Sequence, residues 1–274
     1  MKRSREANDD LARRVEAITW YHTFDLPGGI VTPGLFDHRK VVHKLPIPAS
    51  LEGKRCLDAA SSDGFFAYEM ARRGAAEVVS VDLADASRQD YQRPPKDHAK
   101  LTLGTGRATE AFEIVGECLG LDVQRVDLSL YDLDPATLGQ FDFVFMGNIL
   151  LHLSDPSRAL RALATVTKPD GRLLSFEAVN LTLSVLRPKT PAGQFWHEDS
   201  GQWWTPNMVG HRRILHAGGW DVLDHGGPLF QPFGTHKRRV PRKVPTNGRD
   251  LLYWVWTRQV GGSTAWAIAR PADV

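Results

Sequence analysis

The sequence predicts an α/β protein, a doubly wound, mostly parallel seven-stranded sheet preceded by an N-terminal helical arm. Three observations predict it. Residues 54–82, KRCLDAASSDGFFAYEMARRGAAEVVSVD, read as strand, small-residue turn, helix, strand and acid. Apolar runs and amphipathic stripes then alternate as far as Ala178. The expected strand ends bring Asp58, Asp82, Asp127, Met146 and Glu177 to the carboxyl edge of the sheet, where ligands bind in such folds.

Taken in order, residues 1–7 are polar, and Asn8 or Asp9 can cap a helix running to about Trp20, with Leu11, Val15 and Ile18 on one stripe. Residues 20–34 are too apolar to be solvated and too rich in turn residues to be helical. They form an arm that packs on the core, a flap over the ligand edge, or both. A helix over 36–45 ends before Pro46. Residues 1–48 are thus an arm or cap, and 49–274 one domain with insertions at about 181–204 and 228–262.

The first two sheet strands are expected at 55–57 and 78–81, with a helix opening near Phe65 and stopping at Gly74. A short helix starts at Asp85, and a longer one at about Arg107 carries Ala108, Phe112, Val115 and Leu119 on one face before Gly120. Strands follow at 123–126 and 141–146. A helix capped by Ser154 or Asp155, with Pro156 in its first turn, precedes a fifth strand at 172–178. Thr205 and Pro206 open a further helix that ends at Gly218-Gly219, and the last strands are expected at 220–223 and 265–269.

Small residues at Ala60, Ser61, Ser62 and Gly64 let a ligand approach the backbone. Asp82 lies 24 positions after Asp58, near the spacing at which an acid takes a ribose hydroxyl pair. Ala60 and Ser62 occupy the first two glycine places of a dinucleotide turn, and Asp58 would repel a pyrophosphate. A cationic adenosyl sulfonium with an α-ammonium fits these charges better than a nicotinamide dinucleotide does.

The chain has 34 basic and 32 acidic residues, a net charge of +2, so no global field requires a nucleic-acid or membrane partner. Cys56 and Cys118 lack metal-ligand spacing, and no other metal motif is present. A reduced, cytoplasmic setting is expected, with no apolar run of membrane-spanning length. The segment HKRRVPRK at 236–243 could grip RNA phosphates, although a solvated basic loop is the plainer reading.

The block 58–64 with Asp82, the block FDFVFMGNILLHLSDPSRAL and the block KPDGRLLSFEAV together resemble the class I S-adenosylmethionine-dependent methyltransferases, over roughly residues 50 to 180. The stretches WYHTFDLPGGIVTPG, LEGKRCLDAASSDGFFAYEMARRGA and FMGNILLH are more distantly similar to the tRNA wobble-uridine carboxymethyltransferase family and its relatives. Where that family has a Trp-Lys-Trp stretch, this chain has Leu35-Phe36-Asp37-His38, and its tyrosine before the histidine is Leu151. Without such partners a second ligand carboxylate would be costly to bury, which points to ordinary S-adenosylmethionine.

The resemblance implies a Rossmann-like methyltransferase fold and a cofactor site made by Asp58, Ala60, Ser61, Ser62, Gly64, Asp82, Leu83, Asp127, Leu128, Met146 and Gly147. The implied activity is methyl transfer to oxygen or nitrogen of a small molecule. A tRNA-modifying enzyme and a non-catalytic S-adenosylmethionine-binding domain are the alternatives. His152, His22 and His197 are candidate bases, although for His152 a packing turn, LLHL, is the plainer reading. Tyr21, Trp196 and Trp203 are candidate substrate contacts, and the tryptophans could instead fill the core.

Overall fold

In the computed structural model the described residues are 2–92, 108–196, 201–235, Gly248 and 261–273. Seven strands form the central sheet: β1 (Arg55–Ala59), β2 (Glu77–Asp82), β3 (Gln124–Asp127), β4 (Phe141–Gly147), β5 (Thr167–Ala178), β6 (Trp220–Gln231) and β7 (Gly262–Pro271). Their order is β6-β7-β5-β4-β1-β2-β3. The pairs among β1 to β5 are parallel, whereas β7 runs antiparallel to both β5 and β6. Ala59 pairs with Met146, and Asp82 with Asp127, so the carboxyl ends are level. The order reverses between β1 and β4, which opens a crevice there.

Both faces of the sheet are covered, and strand residues alternate between two cores. Cys56, Val78 and Phe145 join Phe66, Tyr68 and Phe112 on one face. Leu57, Val79 and Val144 join Leu160, Leu215 and Trp220 on the other. The α-helices among the described residues are α1 (Lys2–Glu16), α2 (Phe65–Arg72), α3 (Ala108–Leu119), α4 (Pro135–Leu138), α5 (Pro156–Thr165), α6 (Leu181–Leu186) and α7 (Met208–Ala217). Asp155 caps α5, accepting from the Arg158 N–H, as its sequence signature implied.

Several elements differ from expectation. The first helix begins at Lys2 and not at Asn8, because residues 2–7 are good helix formers, and it ends at Glu16. Trp20 lies beyond it and folds back, its indole donating to the Val15 carbonyl at 2.9 Å. In place of a helix over 36–45 there are two 3₁₀ turns, His38–Lys40 and Val42–Lys44. There the Asp37 N–H is drawn to the Pro232 carbonyl at 2.8 Å. Thr205 does not cap α7, since Trp204–Pro206 pairs with Gly193–Phe195 and the Thr205 hydroxyl accepts from Trp196. Asn207 caps it, accepting from the Gly210 N–H at 2.7 Å. β6 runs on to Gln231, with register shifts that absorb the Gly226-Gly227-Pro228 stretch.

The arm folds back over the ligand edge. A small hairpin, Asp25–Leu26 with Ile30–Val31, follows Tyr21 and His22, and the chain returns through Phe36 to His38. Gly34 lies so close to the His22 backbone that it has no room for a Cβ. Packing on the core and covering the carboxyl edge are thus one arrangement.

Candidate active site

The turn after β1 is held in a conformation that side chains usually avoid. Ala60 and Ser62 have positive φ, 66° and 53°, as does Gly64 at 84°. A Cβ at Gly64 would stand 2.5 Å from the Phe112 ring, so only the third glycine place demands glycine. Hydrogen bonds hold the other two: Ala60 N–H to the Val81 carbonyl at 2.8 Å, and Ser62 N–H to the Asp82 carboxylate at 2.6 Å. Arg125 donates to the Ser62 carbonyl at 2.7 Å.

The acids at the strand ends are buried. Asp58 accepts from the Ala67 N–H at 2.8 Å, in the first turn of α2, and burial pushes its pKa up to about 8. Asp82 accepts from the Ser62 and Leu83 N–H groups, the latter at 2.7 Å, and burial raises its pKa as well. Each of its oxygens keeps a second lone pair for a ligand hydroxyl.

A cavity of about 400 Å³ runs along this edge. Ala60, Asp82, Leu83 and Leu128 line it on the β1–β3 side, and Tyr21, Asn148, His152 and Gln231 on the other. It adjoins an inner pocket of about 100 Å³ bordered by His22, His38, Asp58, Ser61, Ser62 and Gly147. Tyr21, Ala60, Asp82, Asn148 and His152 border both spaces. Gly64 and the buried Met146 stand behind these walls.

Other expected contacts fall elsewhere. The Asp127 carboxylate receives Arg88 at 2.8 Å and the Ala84 N–H at 3.1 Å, and it borders a separate groove beside α3. Trp196 and Trp203 brace the rim: their indoles donate to the Thr205 hydroxyl and the Asp90 carbonyl, each at 2.7 Å. Neither lines the cavity. Gly201 and Gln202, between them, do. His197, the basic segment 236–243 and the apolar run 251–258 lie outside the described residues.

Three side chains at the cavity can hold or move a proton. His152 ends the turn after β4, and its Nδ1 lies 2.7 Å from the Gly201 carbonyl. A carbonyl accepts, so Nδ1 carries the proton and Nε2 offers a lone pair. Burial lowers the His152 pKa, keeping the ring neutral. His22 is paired through Nδ1 with the buried Asp63 carboxylate, which also accepts the Tyr21 and His22 backbone N–H groups at 2.9 and 2.8 Å. Tyr21 is held as the phenol, its pKa raised by burial and then by Asp63 and Glu177.

Sequence reasoning did not single out Asp63, His38, Asn148 or Gln231, and it placed Glu177 only at a strand end. Glu177 accepts from the Ile149 and Leu150 N–H groups at 3.1 and 3.2 Å, so it anchors the turn that presents His152. Asn148 donates to Gln231 at 2.8 Å across the sheet. No local pattern marks these residues; only the return of the arm and the length of β6 bring them together.

The family described as "Methyltransferase domain" matches residues 57–175. Among curated proteins, a ubiquinone biosynthesis O-methyltransferase of Neisseria meningitidis serogroup C is 33% identical over 132 residues, 48% of this chain and 47% of that protein. The chain spans about half the length of the curated relatives it matches. Among solved structures, the N-terminal domain of EvdMO1 with SAH bound covers 97% of both chains at a TM-score of 0.55 and 15% identity. The [4+2]-cyclase SpnF covers 81% of this chain and 76% of its own at a TM-score of 0.51 and 18% identity. One such fold therefore belongs to a protein named for a different reaction, and the chemistry must be argued from the site. Residues 57–175 of this chain match a methyltransferase domain, and the described residues have the fold of the class I S-adenosylmethionine-dependent methyltransferases.

Proposed function

We propose that the protein is an S-adenosylmethionine-dependent methyltransferase that methylates oxygen or nitrogen of a small-molecule acceptor. One observation carries the reading: a single cavity joins Asp82 and Ala60 of the turn to a neutral imidazole, His152, whose Nδ1 is already occupied. The chain's residues fit the cofactor, since the positive-φ turn at Ala60 and Ser62 and the two-handed Asp82 present small residues and acceptor oxygens to a nucleoside. The curated relatives are named O-methyltransferases, which favours oxygen.

When bound, S-adenosylmethionine supplies an electrophilic sulfonium methyl. Asp82 would accept from the ribose hydroxyls, and Leu83 and Leu128 would flank the adenine. Ser62, Gly147 and Asp58 would border the methionine end. Tyr21, Leu35 and Phe36 close the arm side and keep out water. Nε2 of His152 would take the acceptor's proton, and the bound donor would supply the methyl group in its place. The resulting imidazolium is stabilised through Nδ1–H by the Gly201 carbonyl. The role of the protein is mainly to position the two reactants, because the donor is already activated.

The test is methyl transfer from labelled S-adenosylmethionine into a metabolite extract of the source organism, with S-adenosylhomocysteine binding measured alongside by calorimetry. Label in a small molecule, lost in His152→Ala while S-adenosylhomocysteine still binds, is the expected result. Binding with no transfer to any fraction would favour the non-catalytic alternative, and no binding would overturn the cofactor assignment.

A further inference from the structure

The carbonyl that fixes His152 belongs to a segment that is itself held from two sides. Gly201 accepts from the imidazole at 2.7 Å, and the neighbouring Gln202 carbonyl accepts from the Gln92 side chain at 2.9 Å. The Trp203 N–H donates to the Leu151 carbonyl at 2.8 Å, and its indole donates to the Asp90 carbonyl at 2.7 Å. Gly201, Gln202 and Trp203 are thus stitched to the turn that carries His152 and to the segment that follows β2. Asp90 closes the ring. Its carboxylate accepts from the Ser154 N–H and from the Tyr131 hydroxyl, each at 2.6 Å. The path from His152 through Gly201, Trp203 and Asp90 therefore returns to Ser154, beside its starting point.

A neutral imidazole carries one proton, and the partner of one nitrogen decides which nitrogen holds it. The Gly201 carbonyl places it on Nδ1 and leaves a lone pair on Nε2. Gly201 has a φ of 67°, in the left-handed region that glycine enters freely. An unrestrained glycine peptide there would let the carbonyl swing away from the ring, and the proton could then settle on Nε2. Among the described residues the restraint comes from Leu151 on one side and from Asp90 and Gln92 on the other. Asp90 also borders the cavity that holds Asp82 and Leu83, so the segment leaving the proposed ribose acid is the one that steadies the base.

We propose that Asp90 and Trp203 are positioning residues that fix the tautomer of His152 through the Gly201 carbonyl, so that the Nε2 lone pair is left for the acceptor. The inference rests on the reading of His152 as the base. No proton travels around the ring of bonds; it sets an orientation. Trp203 does not border the cavity, so it acts through Gly201 alone. The Asp90 side chain acts one step further back, by holding its own carbonyl where the Trp203 indole meets it.

Nuclear magnetic resonance of the full chain with ring-nitrogen-labelled histidine reads the tautomer directly and needs no acceptor. The His152 signals are those missing from His152→Gln. In the unmodified protein at neutral pH, Nδ1 should be protonated and Nε2 not. Trp203→Phe removes one donor and keeps an aromatic ring. It should give a mixture of the two tautomers and leave S-adenosylhomocysteine affinity unchanged. Methyl transfer should fall by about tenfold, part of the roughly 10²–10⁴ that a positioned base supplies. Asp90→Ala should also mix the tautomers, and Asp90→Asn, which keeps an oxygen for the Ser154 N–H, should restore much of the Nδ1 form. A proton on Nε2 in the unmodified protein would overturn the proposal without any variant, as would an unchanged tautomer in folded Trp203→Phe and Asp90→Ala. If the tautomer responds as expected while the unmodified protein transfers no methyl group, the positioning stands and the methyltransferase reading falls.

Discussion

The Asp82 carboxylate shapes the turn and, on the proposed function, also receives the ligand. Asp82→Ala would orphan the Ser62 and Leu83 N–H groups, at a cost of about 1–3 kcal/mol in stability. S-adenosylhomocysteine binding should be lost with it, and calorimetry beside chemical denaturation separates the two effects. Asp58 gives a pH signature. Its pKa is raised from 3.8 to about 8, so the folded state holds the proton more tightly than the unfolded chain. Its stabilising contribution is complete below pH 3.8 and is lost as the pH rises through about 8. Denaturation of the free protein at pH 6 and pH 9 should show Asp58→Asn removing that part of the decline. His152 gives another signature: with its pKa below the usual histidine range, turnover should be level through neutral pH and fall only in acid. His152→Gln should lower kcat by about 10²–10⁴ and leave S-adenosylhomocysteine affinity intact. Asp58, Asp82 and His152 were legible because each closes or follows an apolar strand. Asp63 and Gln231 were not, because their partners come from the arm and from β4.

Among the elements, the arm ties the core to the chemistry. Three donors converge on Asp63, two backbone N–H groups and the His22 ring, all from the adjacent arm residues Tyr21 and His22. Asp63→Ala should release the segment 20–38, seen as faster hydrogen exchange there while β1, β4 and β5 stay protected. Breaking a buried pair of this kind costs about 3–5 kcal/mol, so the thermal midpoint should also fall. The arm was legible only in part. Apolar content and turn residues marked it as neither solvated nor helical, yet the 3₁₀ turns at 38–44 follow from a bond to Pro232, far along the chain. The helix at 205 failed for a related reason. Thr205 and Pro206 carry a start signal, but a strand partner at Gly193–Phe195 takes them and Asn207 caps instead. The local signals held at Asp155 and Pro156 of α5, where Asp155 accepts from the Arg158 N–H.

For the whole molecule, alternation of strand and helix made the parallel part of the sheet legible, since parallel neighbours need a crossover and helices supply it. The antiparallel β6–β7 edge lacks that signature, and β6 was read at a third of its length. The molecular charge bears on the acceptor. With 34 basic and 32 acidic residues, the chain has little long-range attraction for a polyanion. The basic segment 236–243 is the local exception that a tRNA acceptor would use. A small-molecule enzyme should not retain tRNA at about 0.15 M salt, where several phosphate contacts are needed for measurable affinity. Its labelled product should pass a filter that holds back RNA. Retention that falls steeply with salt, and disappears when Lys237, Arg238, Arg239, Arg242 and Lys243 are neutralised, would move the acceptor from the cavity to that segment. Such a result would still leave the proposed donor cradle of Asp58, Ser62 and Asp82 in place, because its hydrogen bonds do not depend on what receives the methyl group.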